Sequence, residues 1–319
     1  MKTYAYVAAD ADFSLTIIDV SNPAIPTFKG NISGAGAPNY LAVARGVFVR
    51  GNYAYVVAEG ADSLTIIDVS HPAIPTFKGN ISGAGPPNYL GQAESVVVRD
   101  NYACVAAYDD DSLTIIDVSN PAIPTLKGNI RGAGAPNYLG GAFAVFVRGN
   151  YAYVAANDIA SLTIIDVSNP AIPTFKGNIS GAGPPNYLGG ADAVFVTGNY
   201  AYVTAYDDDS LTIIDVSNPA IPTLKGNIRG AGAPNYLGGA EGVAVRGNYA
   251  YVAANADASL TIIDVSNPAI PTLKGNINGI DAPNYLSGSF SVFLASPMVI
   301  GCPIIDQLIF KRVTRIKKW

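Results

Sequence analysis

The stretch SLTIIDVSNPAIPT at 14–27 decides how this chain folds, because it returns unchanged at 112–125, 161–174, 210–223 and 259–272. At 63–76 it returns with one change, His71 in place of Asn. Its aspartate stands at 19, 68, 117, 166, 215 and 264, a spacing of 49 residues with no insertion or deletion. Tyrosines fall on the same lattice, at 4, 53, 102, 151, 200 and 249 and again at 40, 89, 138, 187, 236 and 285. A fixed period of this size means that one supersecondary unit is copied along the chain.

Outward from the repeated string, the third unit reads as short strands separated by turns. ESVVVR (94–99) is a β-branched run, Asp100-Asn101 is a tight turn, and YACVAAY (102–108) leads into an acidic loop at 109–111. SLTIIDVS (112–119), a turn fixed by two prolines in NPAIP (120–124), and TLKGNI (125–130) complete the unit. Runs rich in Val, Ile, Thr and Tyr, bounded by Gly, Pro, Asn and Asp, are strands. No window of helical length carries a 3.6-residue stripe. Four antiparallel strands repeated six times predict an all-β, six-bladed β-propeller of four-stranded antiparallel blades.

Met1 falls at the turn between first and second strands, so TYAYVA (3–8) is a second strand with no first strand before it. FSVFL (290–294) lies on the lattice with GVFVR (46–50) and GVAVR (242–246). The expectation is therefore a ring closed by one C-terminal strand joining three N-terminal strands, with 1–294 the propeller and 295–319 a non-repeat tail. Closure of that kind removes exposed sheet edges.

Composition narrows the function. Charged residues are 13% of the chain, hydrophobic residues 49%, and the net charge is −5. Two Cys and one His support neither a disulfide framework nor a His-based zinc site. The sequence holds no G-x-S-x-G, no C-x-x-C, no phosphate-binding loop and no G-x-G-x-x-G after a strand. Positive charge is spread along the repeats, which argues against nucleic acid. The innermost strands, read as Val47-Phe48-Val49, Val96-Val97-Val98 and Val145-Phe146-Val147, offer no catalytic set.

Three groups of residues remain as candidates. Asp19, Asp68, Asp117, Asp166, Asp215 and Asp264 precede the Ser-Asn-Pro or Ser-His-Pro turn, and their carboxylates are placed to accept backbone N–H groups there. Tyr40, Tyr89, Tyr138, Tyr187, Tyr236 and Tyr285 end each PNY in a Gly-rich loop, where aromatic rings on one face would suit a sugar or peptide. The loops between second and third strands vary most. Their triplets Asp109, Asp110, Asp111 and Asp207, Asp208, Asp209 supply the hard oxygen ligands that Ca²⁺ prefers. No catalytic residue is assigned, and no cofactor other than Ca²⁺ is indicated.

The tail at 295–319 breaks the lattice. Lys311, Arg312, Arg315, Lys317 and Lys318 face Asp306 alone, and apolar residues from 304 onward fall at helical spacing. Three readings stand open: contact with an anionic membrane or acidic partner, folding back on the propeller, and a frameshift or truncation remnant with no role. It is too short between charges to span a bilayer. The N-terminus carries no signal-peptide core, so the cytoplasm is the compartment expected from the chain as given.

The repeated string resembles the LVIVD repeat, whose signature runs close to L-V-I-V-D-V-S-N-P and a second Pro. The resemblance covers all six units and implies a β-propeller, commonly extracellular or at the cell surface, with no assigned catalytic residues. The functional expectation is a monomeric, non-catalytic scaffold for a protein or glycan ligand. Three alternatives are a lectin-like propeller using loop Tyr and Asp residues, a hydrolase or lyase working in the central channel, and a recently amplified repeat without a ligand. Three or more unlike polar side chains converging on the channel would favour the enzyme.

Overall fold

The computed structural model describes residues 2–281 together with Asn284 and Leu286. Six antiparallel sheets follow one another along the chain, and strands next to each other in sequence pair within each. The first sheet has three strands, Tyr4–Ala9, Ser14–Asp19 and Thr27–Ser33. The second has four, Ala44–Arg50, Tyr53–Ala58, Ser63–Asp68 and Thr76–Ser82, and the remaining four sheets repeat that pattern. The Asp100-Asn101 pair does make the turn between Ala93–Arg99 and Tyr102–Ala107.

The first strand of each four-stranded sheet lies beside the first strand of the next, from Ala44–Arg50 through Ala93–Arg99, Ala142–Arg148 and Ala191–Thr197 to Ala240–Arg246. These are the inner strands. All of them begin at one end of the propeller, where second strands finish, third strands start and fourth strands finish. We call this the varied end, and the opposite end, where inner strands finish and the Asp-Val-Ser-Asn-Pro turns lie, the uniform end.

Apolar side chains between neighbouring blades form the core. Leu64, Ile66, Leu113 and Ile115 on third strands are buried, as are Leu90, Leu139, Leu188 and Leu237, which follow PNY. Burial of this kind contributes about 1.5–3 kcal/mol per side chain. The Ser and Thr of SLTIID are also buried, and their hydroxyls hold the PNY loop. Ser112 Oγ and Thr114 Oγ1 both donate to the Tyr89 carbonyl at 3.0 Å. Ser210 and Thr212 do the same for Tyr187, at 2.9 and 3.1 Å. The anchored carbonyl belongs to a tyrosine in the left-handed region, φ 50° at Tyr89, a conformation that needs such support in a bulky residue.

Successive blades meet at a repeated contact. A Cβ on Gly79 would fall 2.3 Å from the Pro121 carbonyl oxygen of the next blade, and one on Gly128 would fall 2.5 Å from that of Pro170. Only a residue without a side chain admits this approach. The second proline of each turn, Pro75, Pro124, Pro173, Pro222 and Pro271, is buried by the blade before it.

The expected closure is corrected at this contact. No sheet is closed into a ring among the described residues: the first sheet keeps three strands, and the surfaces that would meet across a closed ring are open. A Cβ on Gly275 of the last blade meets nothing within 4 Å, and Pro26 of the first blade is exposed. Tyr6 and Tyr251 are only half-buried, whereas Tyr55, Tyr153 and Tyr202 in the same column are buried. FSVFL (290–294), the strand assigned to closure, lies outside the described residues, as do Tyr285 and the tail at 295–319. Among the described residues no helix is long and apolar enough to cross a membrane.

Candidate functional site at the start of the inner strands

The second residue of each inner strand breaks the repeat. Along the lattice it is Arg45, Glu94, Phe143, Asp192 and Glu241, a cation, three carboxylates and an aromatic ring at equivalent places. The residue that follows each second strand faces the same end and also varies: Asp10, Glu59, Tyr108, Asn157, Tyr206 and Asn255. Strand pairing puts the two columns together. Ala44 lies opposite Ala58 and Gly46 opposite Val57, so Arg45 is the bulged residue between them, and Glu59 directly follows the last paired residue of the adjacent strand.

Arg45 is the centre of the densest part. Its guanidinium pairs with Glu59 through both Nε and a terminal nitrogen. It lies 3.6 Å from Asp10 of the first blade and 3.8 Å from Glu94 of the third. Three blades thus contribute to one ionic group. Glu94 is 5% exposed and Asp10 7% exposed. Charges this dry are tolerated only when paired, and a bidentate guanidinium is the partner best shaped for it. Further round, Asn255 Nδ2 donates to Glu241 Oε1 at 3.1 Å. Between these polar stations, the Tyr108 and Phe143 rings pack edge to face with centroids 6.2 Å apart. The Tyr108 hydroxyl donates to Asp158.

The Asp triplets lie beside these columns but serve the backbone. Asp110 accepts from the Gly85 and Gly91 N–H groups, at 3.0 and 2.6 Å, and Asp208 accepts likewise from Gly183 and Gly189. Asp111 and Asp209 accept from Gly141 and Gly239. Gln92 Nε2 donates to Asp109, whose carboxyl burial pushes above its ordinary pKa. Among the described residues no group of three or more His, Cys, Asp or Glu side chains is arranged to hold a metal ion.

The five described PNY tyrosines, Tyr40, Tyr89, Tyr138, Tyr187 and Tyr236, are half-buried. The Arg131 guanidinium covers the Tyr89 ring at 4.5 Å, Arg229 covers Tyr187 at 4.3 Å, and Phe175 packs on Tyr138 at 5.9 Å. Tyr89, Tyr138 and Tyr187 are thus each stacked by a neighbour of their own.

At the uniform end the six aspartates behave alike. Asp117 Oδ1 accepts from the Ser119 hydroxyl at 2.6 Å and the Ser119 N–H at 3.0 Å. The serine hydroxyl, then the N–H, hold the carboxyl below its ordinary pKa, and the same holds for Asp68, Asp166, Asp215 and Asp264. A cleft of about 220 Å³ opens between the third and fourth blades at this end, lined by Arg99, Tyr102, Cys104, Val147 and Asn150 among others. It lies where Cys104 replaces the tyrosine of its column. Burial pushes the Cys104 thiol up to about 12, so it is no nucleophile at neutral pH.

With the geometry in place, the sequence can be set beside known proteins. The LVIVD-repeat model matches residues 2–33, 43–82, 90–131, 139–180, 188–229 and 237–279. This chain belongs to the LVIVD-repeat family. No curated protein matches it. Solved structures share the LVIVD chain's propeller at low identity. A periplasmic gluconolactonase of Pseudomonas aeruginosa has a TM-score of 0.67 at 13% identity, covering 88% of this chain and 79% of its own. A Bacteroides fragilis protein described provisionally as a 6-phosphogluconolactonase has a TM-score of 0.66 at 12% identity, covering 87% and 80%. A functionally unknown protein of Desulfotomaculum acetoxidans has a TM-score of 0.66 at 11% identity, covering 89% and 83%.

The expectation of a non-catalytic scaffold is corrected here. Of the solved structures with the LVIVD chain's fold, one is named a periplasmic gluconolactonase and two are named provisionally as 6-phosphogluconolactonases, and the second residues of the inner strands are unlike one another, four of the five charged. The apolar Val-Phe-Val segments are real but start two residues further along each strand. The signal was present in the sequence, as a lattice column within a strand whose members change chemical class.

Proposed function

We propose that this LVIVD propeller is a hydrolase of small cyclic esters, working at the varied end where the inner strands begin. One observation carries the reading: Glu94 and Arg45, starting neighbouring inner strands, share a nearly dry ionic group with Asp10 and Glu59. The names of the fold's solved relatives, lactonases among them, support the same reaction class.

The chemistry balances without a cofactor. Glu94 removes a proton from water as the water oxygen bonds to the ester carbonyl carbon. Arg45 lies where its positive charge stabilises the oxyanion that forms, and Glu59 and Asp10 hold the guanidinium in place. The ring C–O bond then breaks, and its oxygen leaves as a hydroxyl carrying the proton from Glu94. Lactone and water become one hydroxy acid.

Opening of glucono-1,5-lactone, followed by proton release above the spontaneous rate, tests this. Glu94→Gln is expected to lower kcat by about 100-fold or more, the scale of a lost general base. Arg45→Lys, which keeps the charge but not the bidentate geometry, is expected to lose less. A wild-type rate no faster than the spontaneous one across a set of four- to six-membered lactones would overturn the reading, as would a folded Glu94→Gln variant of full activity.

A further inference from the structure

The two ends of the propeller differ sharply in charge. At the varied end, loops between second and third strands carry twelve carboxylates, inner-strand starts carry Glu94, Asp192 and Glu241, and Asp281 follows the last strand. Among the described residues only Arg45, Arg131 and Arg229 oppose these sixteen, a formal −13. At the uniform end seven carboxylates meet seven lysines and four arginines, a formal +4. Of the three arginines at the varied end, Arg131 and Arg229 are stacked on Tyr89 and Tyr187, and Arg45 is enclosed by carboxylates. Among the described residues Arg45 is thus the one cation at this end not stacked on a ring. With Glu59, Asp10 and Glu94 already around it, it meets the partial charge of a carbonyl oxygen but does not offset a dianionic phosphate. The feature that suits a sugar is the half-buried Tyr108–Phe143 pair, Tyr108 on the blade of Glu94 and Phe143 on the next.

We infer that this site takes an uncharged sugar ring, seated against Tyr108 and Phe143, and turns away a phosphorylated one. The inference rests on the hydrolase reading for the location of the site and adds the class of substrate. An apolar ring face packs on aromatic edges and faces, while hydroxyl groups meet the surrounding carboxylates as hydrogen-bond donors. A dianionic phosphate entering the same field is repelled, because the potentials of the clustered carboxylates add. The product fits too. Ring opening yields a carboxylate, which the field that admits the neutral ring then expels.

Calorimetric titration of the full chain with 1,5-anhydro-D-glucitol and with its 6-phosphate tests this, since neither compound has an ester to open. The neutral ring is expected to bind at least about 10-fold more tightly at 0.05 M salt. The gap is expected to narrow at 0.5 M, where screening shortens the reach of the field to a few ångströms. Asp192→Asn with Glu241→Gln is expected to narrow it at low salt as well. Phe143→Ala is expected to weaken the neutral ring about 10-fold. Equal or tighter binding of the phosphate, binding of neither compound, or indifference to Phe143→Ala in a folded variant each overturns the inference. Lactone opening with a preference for the phosphate keeps the hydrolase and sinks the substrate class. Selective binding of the neutral ring without lactone opening does the reverse.

Discussion

The two ends of this propeller are made by the same 49-residue unit, yet one is copied and the other is not. At the uniform end every blade repeats one device, an aspartate accepting from the serine two residues on, and from the second blade onward the proline turn that follows packs on the preceding blade. At the varied end equivalent positions hold Arg45, Glu94, Phe143, Asp192 and Glu241. The difference teaches where each kind of constraint acts. A contact that must be made between every pair of blades tolerates one solution, whereas a site needs different groups in one place and is released from the repeat.

The largest expected effect is at the varied end. Arg45→Met leaves Glu94 and Asp10 buried without their cation, and stability measured by urea unfolding is expected to fall by about 3 kcal/mol or more. A loss under 1 kcal/mol would show that the ionic group is solvated and that the varied end is not held together by it. Next in size is the contact between blades. Gly128→Ala forces a methyl group against the Pro170 and Ala171 carbonyls and is expected to cost about 1–3 kcal/mol. Gly275→Ala, with open space beside it, is expected to change stability by less than about 0.5 kcal/mol. Equal losses at the two glycines would mean that the last blade is covered after all.

The smallest effect belongs to the turns. Asp117→Ala removes two hydrogen bonds at an exposed site and is expected to cost about 0.5–1 kcal/mol. The folded carboxyl lies below its ordinary pKa, so its stabilisation is complete at neutral pH. That contribution is lost as pH falls through the ordinary carboxylate range and below it. The difference in stability between wild type and Asp117→Ala should therefore shrink on acidification, and a difference that grows would contradict the assignment.

Much of the frame was legible from the repeat. Strands such as Ser112–Asp117 and Thr125–Arg131 fall where β-branched runs and prolines place them, since local pattern and turn chemistry agree at each copy. The candidate site is not legible in the same way, because recurrence marks the frame, and Arg45 and Glu94 occupy a column that does not recur. The PNY tyrosines looked like a platform in sequence. Their covering by Arg131, Arg229 and Phe175 depends on which strand of the adjacent blade arrives there, which no local pattern states. Closure was over-read for a similar reason. The lattice shows that 290–294 can be a strand, while open space at Gly275 and an exposed Pro26 are facts of tertiary contact.

The glycine-to-proline contact carries a consequence for how such a chain can change. Each copy of the unit is both lock and key: its glycine receives the next turn, and its own turn enters the previous glycine. A mutation spread to all copies is thus screened twice, once on each side, and passes only when both sides still fit. A mutation confined to one copy meets an unaltered neighbour and is rejected wherever blades touch. Solvent offers no such neighbour. Drift and selection both find their freedom at the ends of the strands, so a chemistry can be acquired there one residue at a time while the repeat beneath it stays in register.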